Sequence, residues 1–88
     1  MTVVAAIRQR LAVLQPAAVE LEDDSAVHAG HAGAAGGGGH YRLTIVSVLF
    51  AGKRTVERHR MVYDALGPMM RRQIHAMSIT ARTPDETP

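Results

Sequence analysis

Cysteine and tryptophan are absent from this 88-residue chain, and aromatic residues make up only 3% of it. Without cysteine the chain can form neither a disulfide nor a thiolate metal site of its own, so any metal must be held by histidine or carboxylate. A chain of this length forms one small domain that buries roughly 60–65% of its unfolded surface. The five histidines are therefore the first candidates for a metal site.

A long hydrophobic run is also missing. The longest, LTIVSVLFAG at residues 43–52, falls far short of the roughly 20 residues that a membrane helix needs. The chain starts without a basic segment ahead of its apolar residues, and Arg8 and Arg10 interrupt them, so we predict no secretory signal peptide. We expect a soluble protein with no membrane partner, located in the cytoplasm or, in a eukaryote, in the mitochondrial matrix.

Catalytic motifs are missing too. No serine stands in a recognisable nucleophile context, and no pair of carboxylates lies in an apolar segment that would separate their pKa values. The glycine run GAAGGGGH at residues 33–40 lacks the lysine and the serine or threonine of a phosphate-binding P-loop. We therefore expect a protein that is not an enzyme, and we interpret the glycines as flexible spacing.

Charge is distributed unevenly along the chain. Residues 1–40 carry two arginines and four acids, whereas residues 41–88 carry eight lysines or arginines and four acids, which makes the second half +4. A basic half suits an anionic partner such as nucleic acid, and it also suits an ordinary solvated surface. The candidate residues for contact with phosphates or a protein partner are Arg54, Arg58, Arg60, Arg71 and Arg72.

Hydrophobic periodicity predicts three helices. Residues 3–14 have apolar side chains at three- and four-residue steps, with Thr2 as a cap and Pro16 as a stop. A second helix begins at Thr55, and a short third helix, MMRRQ, follows Pro68, which fits a first helical turn. The predicted apolar face of the second helix consists of His59, Val62, Tyr63 and Leu66.

Alternation of apolar and polar residues predicts three strands. VELED at residues 19–23 has one face in water, and HYRLTIVSVLF at residues 40–50 is the longest and most buried strand. IHAMSITA at residues 74–81 is the third strand. One face of this third strand is predicted to carry His75, Met77 and Ile79.

The order of elements, α-β-β-α-α-β, predicts an α+β domain with its helices packed on one side of a three-stranded sheet. We expect this single domain to cover residues 1–84. Within it, residues 24–39 form a flexible loop rich in histidine and glycine. Residues 85–88 are expected to be a disordered tail, because they are polar and end in proline.

Four of the histidines are candidates for a metal-binding or structural role. His28 and His31 stand three residues apart in the glycine-rich loop, so either could turn toward a metal, although two histidines alone make an incomplete site. An exposed loop that happens to contain histidine is the alternative explanation. His75 is either a ligand or an ordinary surface histidine. His59, on the apolar face of the second helix, is interpreted as structural.

Four segments, taken in order, resemble the BolA family: SAVHAGH, HYRLTIVSVLFAGK, RHRMVYDAL and IHAMSITARTP. The resemblance extends from the first helix to Pro84 and implies a KH-like fold. BolA-like proteins pair with monothiol glutaredoxins and share a glutathione-bound 2Fe-2S cluster with them. For this chain the resemblance therefore implies cluster trafficking or iron and redox signalling, with links to stress response.

The resemblance also implies the ligands of that cluster. The resemblance matches His75, the histidine of IHA, to the recurrent ligand of the family. It matches His28 in SAVH to a second ligand from the loop, with His31 as the alternative. The glutaredoxin cysteine and the glutathione thiol would complete the set. An imidazole in place of a thiolate lowers the negative charge of a cluster and, as in Rieske centres, raises its reduction potential.

Nucleic-acid binding is the second functional class, as a KH-like transcriptional regulator. KH domains hold the sugar-phosphate backbone with a GXXG loop, but the corresponding segment here, residues 67–70, reads GPMM and lacks the second glycine. The candidate arginines suit phosphates, an acidic glutaredoxin face or the glutathione carboxylates equally well. Zinc or copper binding by the loop histidines alone is a third possibility. We expect the free protein to be a monomer.

Overall fold

The computed structural model describes residues 2–24 and 39–86. Within these residues the order helix, strand, strand, helix, helix, strand is confirmed. The loop histidines His28 and His31 lie outside the described residues. The elements are α1 (Val3–Leu11), β1 (Ala18–Asp23), β2 (Gly39–Val46), α2 (Thr55–Leu66), α3 (Met69–Arg72) and β3 (Ile74–Arg82).

The three strands form one mixed sheet in the order β1-β2-β3. β1 pairs with β2 antiparallel, and β2 pairs with β3 parallel, so β2 is the central strand. Its alternate residues Tyr41, Leu43 and Ile45 are buried, whereas the residues between them lie on the opposite, more exposed face. The buried face packs against helix residues Ile7, Leu11, Val62 and Leu66, so the predicted α+β architecture is confirmed.

The first helix begins and ends as its sequence predicts. The Thr2 side chain accepts a hydrogen bond from the Ala5 backbone N–H at 3.0 Å, which satisfies one donor of the first turn. Residues 12–14 continue as a 3-10 turn, and Gln15 then adopts a left-handed backbone with φ of 50° immediately before Pro16. Proline disfavours the right-handed helical conformation in the residue before it, which explains why the helix stops here.

The second strand is shorter than predicted. The strand was expected over residues 40–50, but β2 ends at Val46. The next residue, Ser47, is fully buried, and its hydroxyl donates to the Leu14 carbonyl at 2.6 Å and accepts from the Leu49 N–H at 3.1 Å. These bonds turn Val48–Phe50 into a 3-10 turn. The apolar residues that follow Ser47 therefore leave the sheet.

The C-terminal segment is ordered further than predicted. A disordered tail was expected from residue 85, but Pro84–Glu86 form a 3-10 turn. The Glu86 carboxylate accepts hydrogen bonds from the Thr83 backbone N–H at 2.9 Å and from Arg58 of α2 at 2.5 and 3.1 Å. Hydrogen bonds of Glu86, including those from distant Arg58, thus stabilise a turn in this segment despite its polar composition. Residues 87–88 lie outside the described part of the chain.

Candidate metal and partner-binding site

The starts of β2 and β3 lie side by side, because these two strands run parallel. Gly39 pairs with Ile74, but the next pair is His40 with Ala76, so the register shifts by one residue. His75 is the extra residue on β3, as in a β-bulge. A bulge bends the strand and changes the direction of a side chain, and bulges are common next to functional sites.

The side-chain faces predicted for the start of β3 are wrong, because the bulge inserts an extra residue there. His75 was expected to share a face with Met77 and Ile79, but those two side chains pack against the core, whereas His75 is exposed. Ile74, expected on the opposite face, is 2% exposed and belongs to the core. Strict alternation fails here because the extra residue moves the pattern by one position. His75 is thereby turned out of the hydrophobic core.

His75 lies against a second histidine that the sequence reasoning did not select. The ring centroids of His40 and His75 are 5.0 Å apart, with the ring planes tilted by 43°. His40 is partly exposed, and its Nε2 atom is buried. The two residues are distant in sequence, but parallel pairing of β2 with β3 would have placed both strand starts at one end of the sheet. Knowledge of this parallel pairing would have been needed to predict from the sequence that His40 lies next to His75.

An ion-pair network lies next to His40 in the sheet. Arg42, two residues after His40 on the same face of β2, contacts a Glu22 carboxylate oxygen at 3.4 Å and an Asp24 oxygen at 3.0 Å. The Asp24 backbone N–H donates to the His40 carbonyl at 2.7 Å. Among residues 2–24 and 39–86, no three histidines or carboxylates are grouped closely enough to hold a metal ion. The pair therefore needs ligands from elsewhere.

The residue before His40 has a packing role that the composition of the loop conceals. A Cβ atom on Gly39 would overlap the ring of Tyr41, which is 7% exposed. Glycine at this position lets the Tyr41 ring pack close to the backbone. Burial, and then the negative charge of Asp23, raises the pKa of the Tyr41 hydroxyl above its usual value. The last residue of the glycine run is thus part of the sheet.

Arg58 differs from the other candidate arginines. Its side chain is 13% exposed, and its guanidinium donates to the Lys53 carbonyl at 2.9 Å, to the Ala81 carbonyl at 3.1 Å and to both oxygens of Glu86. The hydrogen bond to Glu86 raises the pKa of Arg58. These bonds fix the start of α2 to the end of β3. The structure therefore gives Arg58 a structural role, and the partner-binding role predicted for it stays a prediction.

Arg71 and Arg72 line a surface groove of about 760 Å³ at the junction of α2 and α3. Both side chains are exposed at the end of α3, and the groove has an apolar part that includes Tyr63 and Met70. Arg72 lies three residues before His75 in the chain. In the chain, Arg71 and Arg72 therefore come just before the short connection from α3 to β3, and His75 comes just after it.

Arg54, the residue before α2, and Arg60 of α2 are exposed, and neither lines that groove. The Arg54 side chain is 86% exposed and contacts Glu57 at 3.5 Å. The Glu57 carboxylate also accepts the Arg54 backbone N–H, which is the main cause of the lowered pKa of Glu57. Arg60 lines a second hollow with Lys53 and Met61, and this hollow shares Asp64 with the groove. The predicted arginines therefore do not all line the same groove.

The predicted apolar face of α2 is partly confirmed. Val62 and Leu66 are fully buried, but Tyr63 is 42% exposed. His59 is partly buried on the same helix, which agrees with the packing expected of a structural histidine, while its hydrogen bonds to backbone stay a prediction. The core-facing stripe of α2 is narrower than predicted, and Tyr63 lies at the groove instead.

Among the helices that the structure describes, none combines the length and the apolar composition that crossing a membrane requires.

Comparison with known sequences gives a consistent match. A family model described as "BolA-like protein" matches residues 11–86. The chain is 45% identical over 86 residues to SufE-like protein 1, chloroplastic/mitochondrial, of Arabidopsis thaliana, covering 91% of this chain and 23% of that protein. It is 33% identical over 82 residues to the DNA-binding transcriptional regulator BolA of Escherichia coli (strain K12), covering 88% of this chain and 75% of that protein.

The length and fold of these relatives define how far the match extends. The chain spans 23–57% of the length of the first plant and mammalian relatives that it matches. Among solved structures, the BolA domain of SufE1 from Arabidopsis thaliana is similar with a TM-score of 0.80 and 43% identity, over 94% of this chain and 93% of that one. Sequence and fold agree over nearly all of the described residues, and this chain belongs to the BolA family.

Proposed function

We propose that this chain is an interaction protein that co-ligates a glutathione-bound 2Fe-2S cluster with a monothiol glutaredoxin, in iron-sulfur cluster trafficking or in iron and redox signalling. The observation that carries the proposal is the bulge at the start of β3, which turns His75 out of the core and into solvent. A ligand shared with a partner must be exposed in the free protein. Membership of the BolA family supports the same function.

The donor set of the chain fits a shared cluster and does not fit one held by this chain alone. Imidazole is a suitable ligand for iron, and the described residues hold no group of three ligating side chains. With no cysteine in the chain, the thiolates must come from the glutaredoxin and from glutathione. His75 would be one ligand, and His28, or alternatively His31, would be the other. When bound, the cluster supplies a redox-active group whose potential rises with imidazole ligation.

The basic residues that precede His75 in the chain suit the partner side of such a complex. Arg71 and Arg72 are exposed at the end of α3, and α3 leads through Gln73 into β3. A guanidinium binds a carboxylate through two parallel hydrogen bonds. We therefore assign this pair to the carboxylates of glutathione or to an acidic face of the glutaredoxin, while His75 meets the cluster.

Cluster reconstitution tests the proposal. The chain is mixed with a monothiol glutaredoxin, glutathione, iron and sulfide, and visible absorption and circular dichroism are recorded. We expect the wild type to give a 1:1 complex whose spectrum differs from that of the glutaredoxin alone. His75→Ala should abolish this difference, and either His28→Ala or His31→Ala should weaken it. His59→Ala is the matched control and should leave the spectrum unchanged.

Two results would reject the cluster-sharing function. One is a spectrum that stays that of the glutaredoxin alone for the wild type. The other is a mixed spectrum that His75→Ala leaves intact, because the exposed histidine would then have no part in it. The folding of each variant is checked by far-ultraviolet circular dichroism, so that a lost complex is not confused with a lost fold.

Nucleic-acid binding is a second candidate, because the groove beside α3 places Arg71 and Arg72 next to exposed Tyr63. A relative in Escherichia coli is named a DNA-binding transcriptional regulator. The GXXG clamp of KH domains is lacking at residues 67–70, so contact would depend on phosphates. We expect affinity for DNA to fall steeply with salt and to fall further in Arg71→Ala/Arg72→Ala, whereas Arg60→Ala changes it little. Binding that ignores both salt and this double substitution would contradict the phosphate-contact model.

The remaining expectations stay predictions. We infer a binding protein that is not an enzyme, since the matched family is named for BolA-like proteins and for no reaction. One relative is described as chloroplastic/mitochondrial, and the cytoplasmic or mitochondrial location expected for this chain is tested by fractionation of the cells that express it. A monomeric free protein is tested by sedimentation.

A further inference from the structure

We propose that His40 and His75 form a two-histidine site for one divalent transition-metal ion, of the zinc, copper or nickel class, and that the isolated chain binds this ion without a partner. The proposal goes beyond cluster sharing, because it assigns a role to His40 and requires neither glutaredoxin nor glutathione. It rests on the juxtaposition of the two rings at the start of β2 and β3.

The spacing of the two rings is that of a chelating pair. Their centroids lie 5.0 Å apart. When two imidazoles bind one tetrahedral ion through metal–nitrogen bonds of about 2.0–2.1 Å, their ring centroids lie about 5 Å apart. Binding requires one nitrogen of each ring to turn toward a shared ion, and the exposed ring of His75 lies against the partly exposed ring of His40.

The sheet holds both residues in place before any ion arrives. The Asp24 backbone N–H donates to the His40 carbonyl at 2.7 Å, and the Gly39 N–H donates to the Gln73 carbonyl at 2.9 Å. The bulge between these bonded positions fixes the direction of His75. Ligands that neighbouring strands hold in position before binding lose little conformational entropy when they bind.

The chemistry of the pair selects the class of ion. Imidazole nitrogen favours zinc, copper and nickel, whereas calcium and magnesium require oxygen ligands. The nearby carboxylates of Glu22 and Asp24 already contact Arg42, so they do not make this an oxygen site. An imidazole that ligates through one nitrogen can keep a second contact through the other. Water would fill the remaining positions of the ion.

Since His75 is also the expected cluster ligand, the ion and the cluster would exclude each other on one chain. Zinc would then lower the amount of mixed cluster formed at a fixed glutaredoxin concentration. This consequence links the two proposals, but the binding of the ion is tested on the isolated chain, so that either proposal can fail while the other stands.

The test is a titration of the metal-free full chain with Zn²⁺ alone. Calorimetry gives stoichiometry and affinity, and long-range proton–nitrogen correlation spectra of the imidazole rings show which histidines bind. We expect one Zn²⁺ per chain, with ring nitrogen shifts at His40 and His75. His40→Gln and His75→Gln should each lower the affinity at least tenfold, since loss of even an outer-shell partner costs about 10–100-fold.

The controls separate the strand pair from the other histidines. His59→Gln removes a histidine of α2, and His28→Ala/His31→Ala removes the loop pair; both variants should retain the wild-type affinity. Thermal unfolding confirms that each variant is folded. The proposal is overturned if the chain binds no Zn²⁺, if the shifted nitrogens belong to His28 and His31, or if folded His40→Gln binds as the wild type does.

Discussion

The two ends of the parallel strands β2 and β3 are built in opposite ways. Where the strands finish, polar groups form hydrogen bonds within the chain. We call this the clamped end, and it consists of Ser47, Arg58, Thr83 and Glu86. Where the strands start, Gly39, His40 and His75 form a histidine end, in which one imidazole is exposed and the other partly so. The same two strands thus carry a cluster of buried and hydrogen-bonded polar groups at one end and two exposed or partly exposed imidazoles at the other.

The difference shows where a small domain can place a binding site. At the clamped end the Ser47 and Thr83 residues are buried, and buried polar groups must be hydrogen-bonded. Groups that bond each other stabilise the fold but cannot also bind a ligand. At the histidine end the bulge keeps His75 out of the core at little cost to packing, because Ile74 still fills it. Stability and binding are therefore separable, and substitutions can test this.

The largest effect on stability is expected from Arg58→Met. The substitution removes the hydrogen bonds to the Lys53 and Ala81 carbonyls and to Glu86, and with them the link between α2 and β3. The midpoint of thermal unfolding should fall clearly. Arg60→Met, an exposed arginine of the same helix, is the matched control and should leave the midpoint almost unchanged. Equal shifts of the unfolding midpoint for the two substitutions would mean that the hydrogen bonds of Arg58 do not contribute to stability.

Ser47→Ala should have the next largest effect. It leaves the Leu14 carbonyl and the Leu49 N–H without the hydroxyl that each contacts, which costs about 1–3 kcal/mol of unfolding free energy for buried groups. Chemical denaturation measures the change. Ser78→Ala, at an exposed position of β3, is the control and should change the free energy by less than about 0.5 kcal/mol. A similar loss for Ser78→Ala would remove the distinction between buried and exposed serines.

The clamped end should also respond to acid. The hydrogen bond from Arg58, followed by that from the Thr83 backbone, lowers the pKa of Glu86 from 4.5 to about 2. A carboxyl group with a lowered folded pKa stabilises the fold above its unfolded pKa and loses this contribution as pH falls through the folded value. The difference in unfolding midpoint between the wild type and Glu86→Gln should therefore be constant above about pH 5 and shrink as pH falls from 4.5 toward 2.

A neighbouring carboxylate provides the comparison for this pH dependence. Asp85 is exposed in the same turn, and within the described residues it makes no ion pair. Asp85→Asn removes a carboxylate without removing an ion pair, so it should leave the unfolding midpoint at neutral pH almost unchanged, whereas Glu86→Gln should lower it. A constant difference for Glu86→Gln across the whole pH range would show that its charge does not contribute.

The smallest effect on stability is expected at the histidine end. Because the side chain is exposed, His75→Ala should change the free energy of unfolding by less than about 0.5 kcal/mol. The same substitution should abolish the mixed cluster and weaken zinc binding. Chemical denaturation of the metal-free chain measures the first effect. A loss comparable to that of Ser47→Ala would show that the two ends are not separable.

Much of the fold follows from local patterns. The spacing of apolar residues, the Thr2 cap and Pro16 correctly predict α1, because periodicity and capping depend on neighbours in sequence. The end of β2 could not be predicted in this way. It depends on a hydrogen bond from Ser47 to Leu14, 33 residues away. The order at Glu86 depends in the same way on Arg58, 28 residues away.

The candidate site was predicted in part. A histidine opening the third strand was recognisable from its motif, so His75 was selected. Its orientation depends on the bulge, and the role of His40 depends on the parallel register between β2 and β3. Neither can be derived from alternation within one strand, since register is a property of the pair. The loop histidines lie outside the described residues, and their part in the site stays a prediction.

The parallel pairing of β2 with β3 also determines when the histidine pair comes into existence during folding. β1 and β2 pair antiparallel, but β3 can join β2 only after residues 47–73, which include α2 and α3, have folded back across the sheet. Contacts between distant parts of a chain form slowly, since loop closure must precede them. We therefore expect His40 and His75 to meet only late in folding, so that partly folded or truncated chains lack the pair and metal would be captured only by completed molecules.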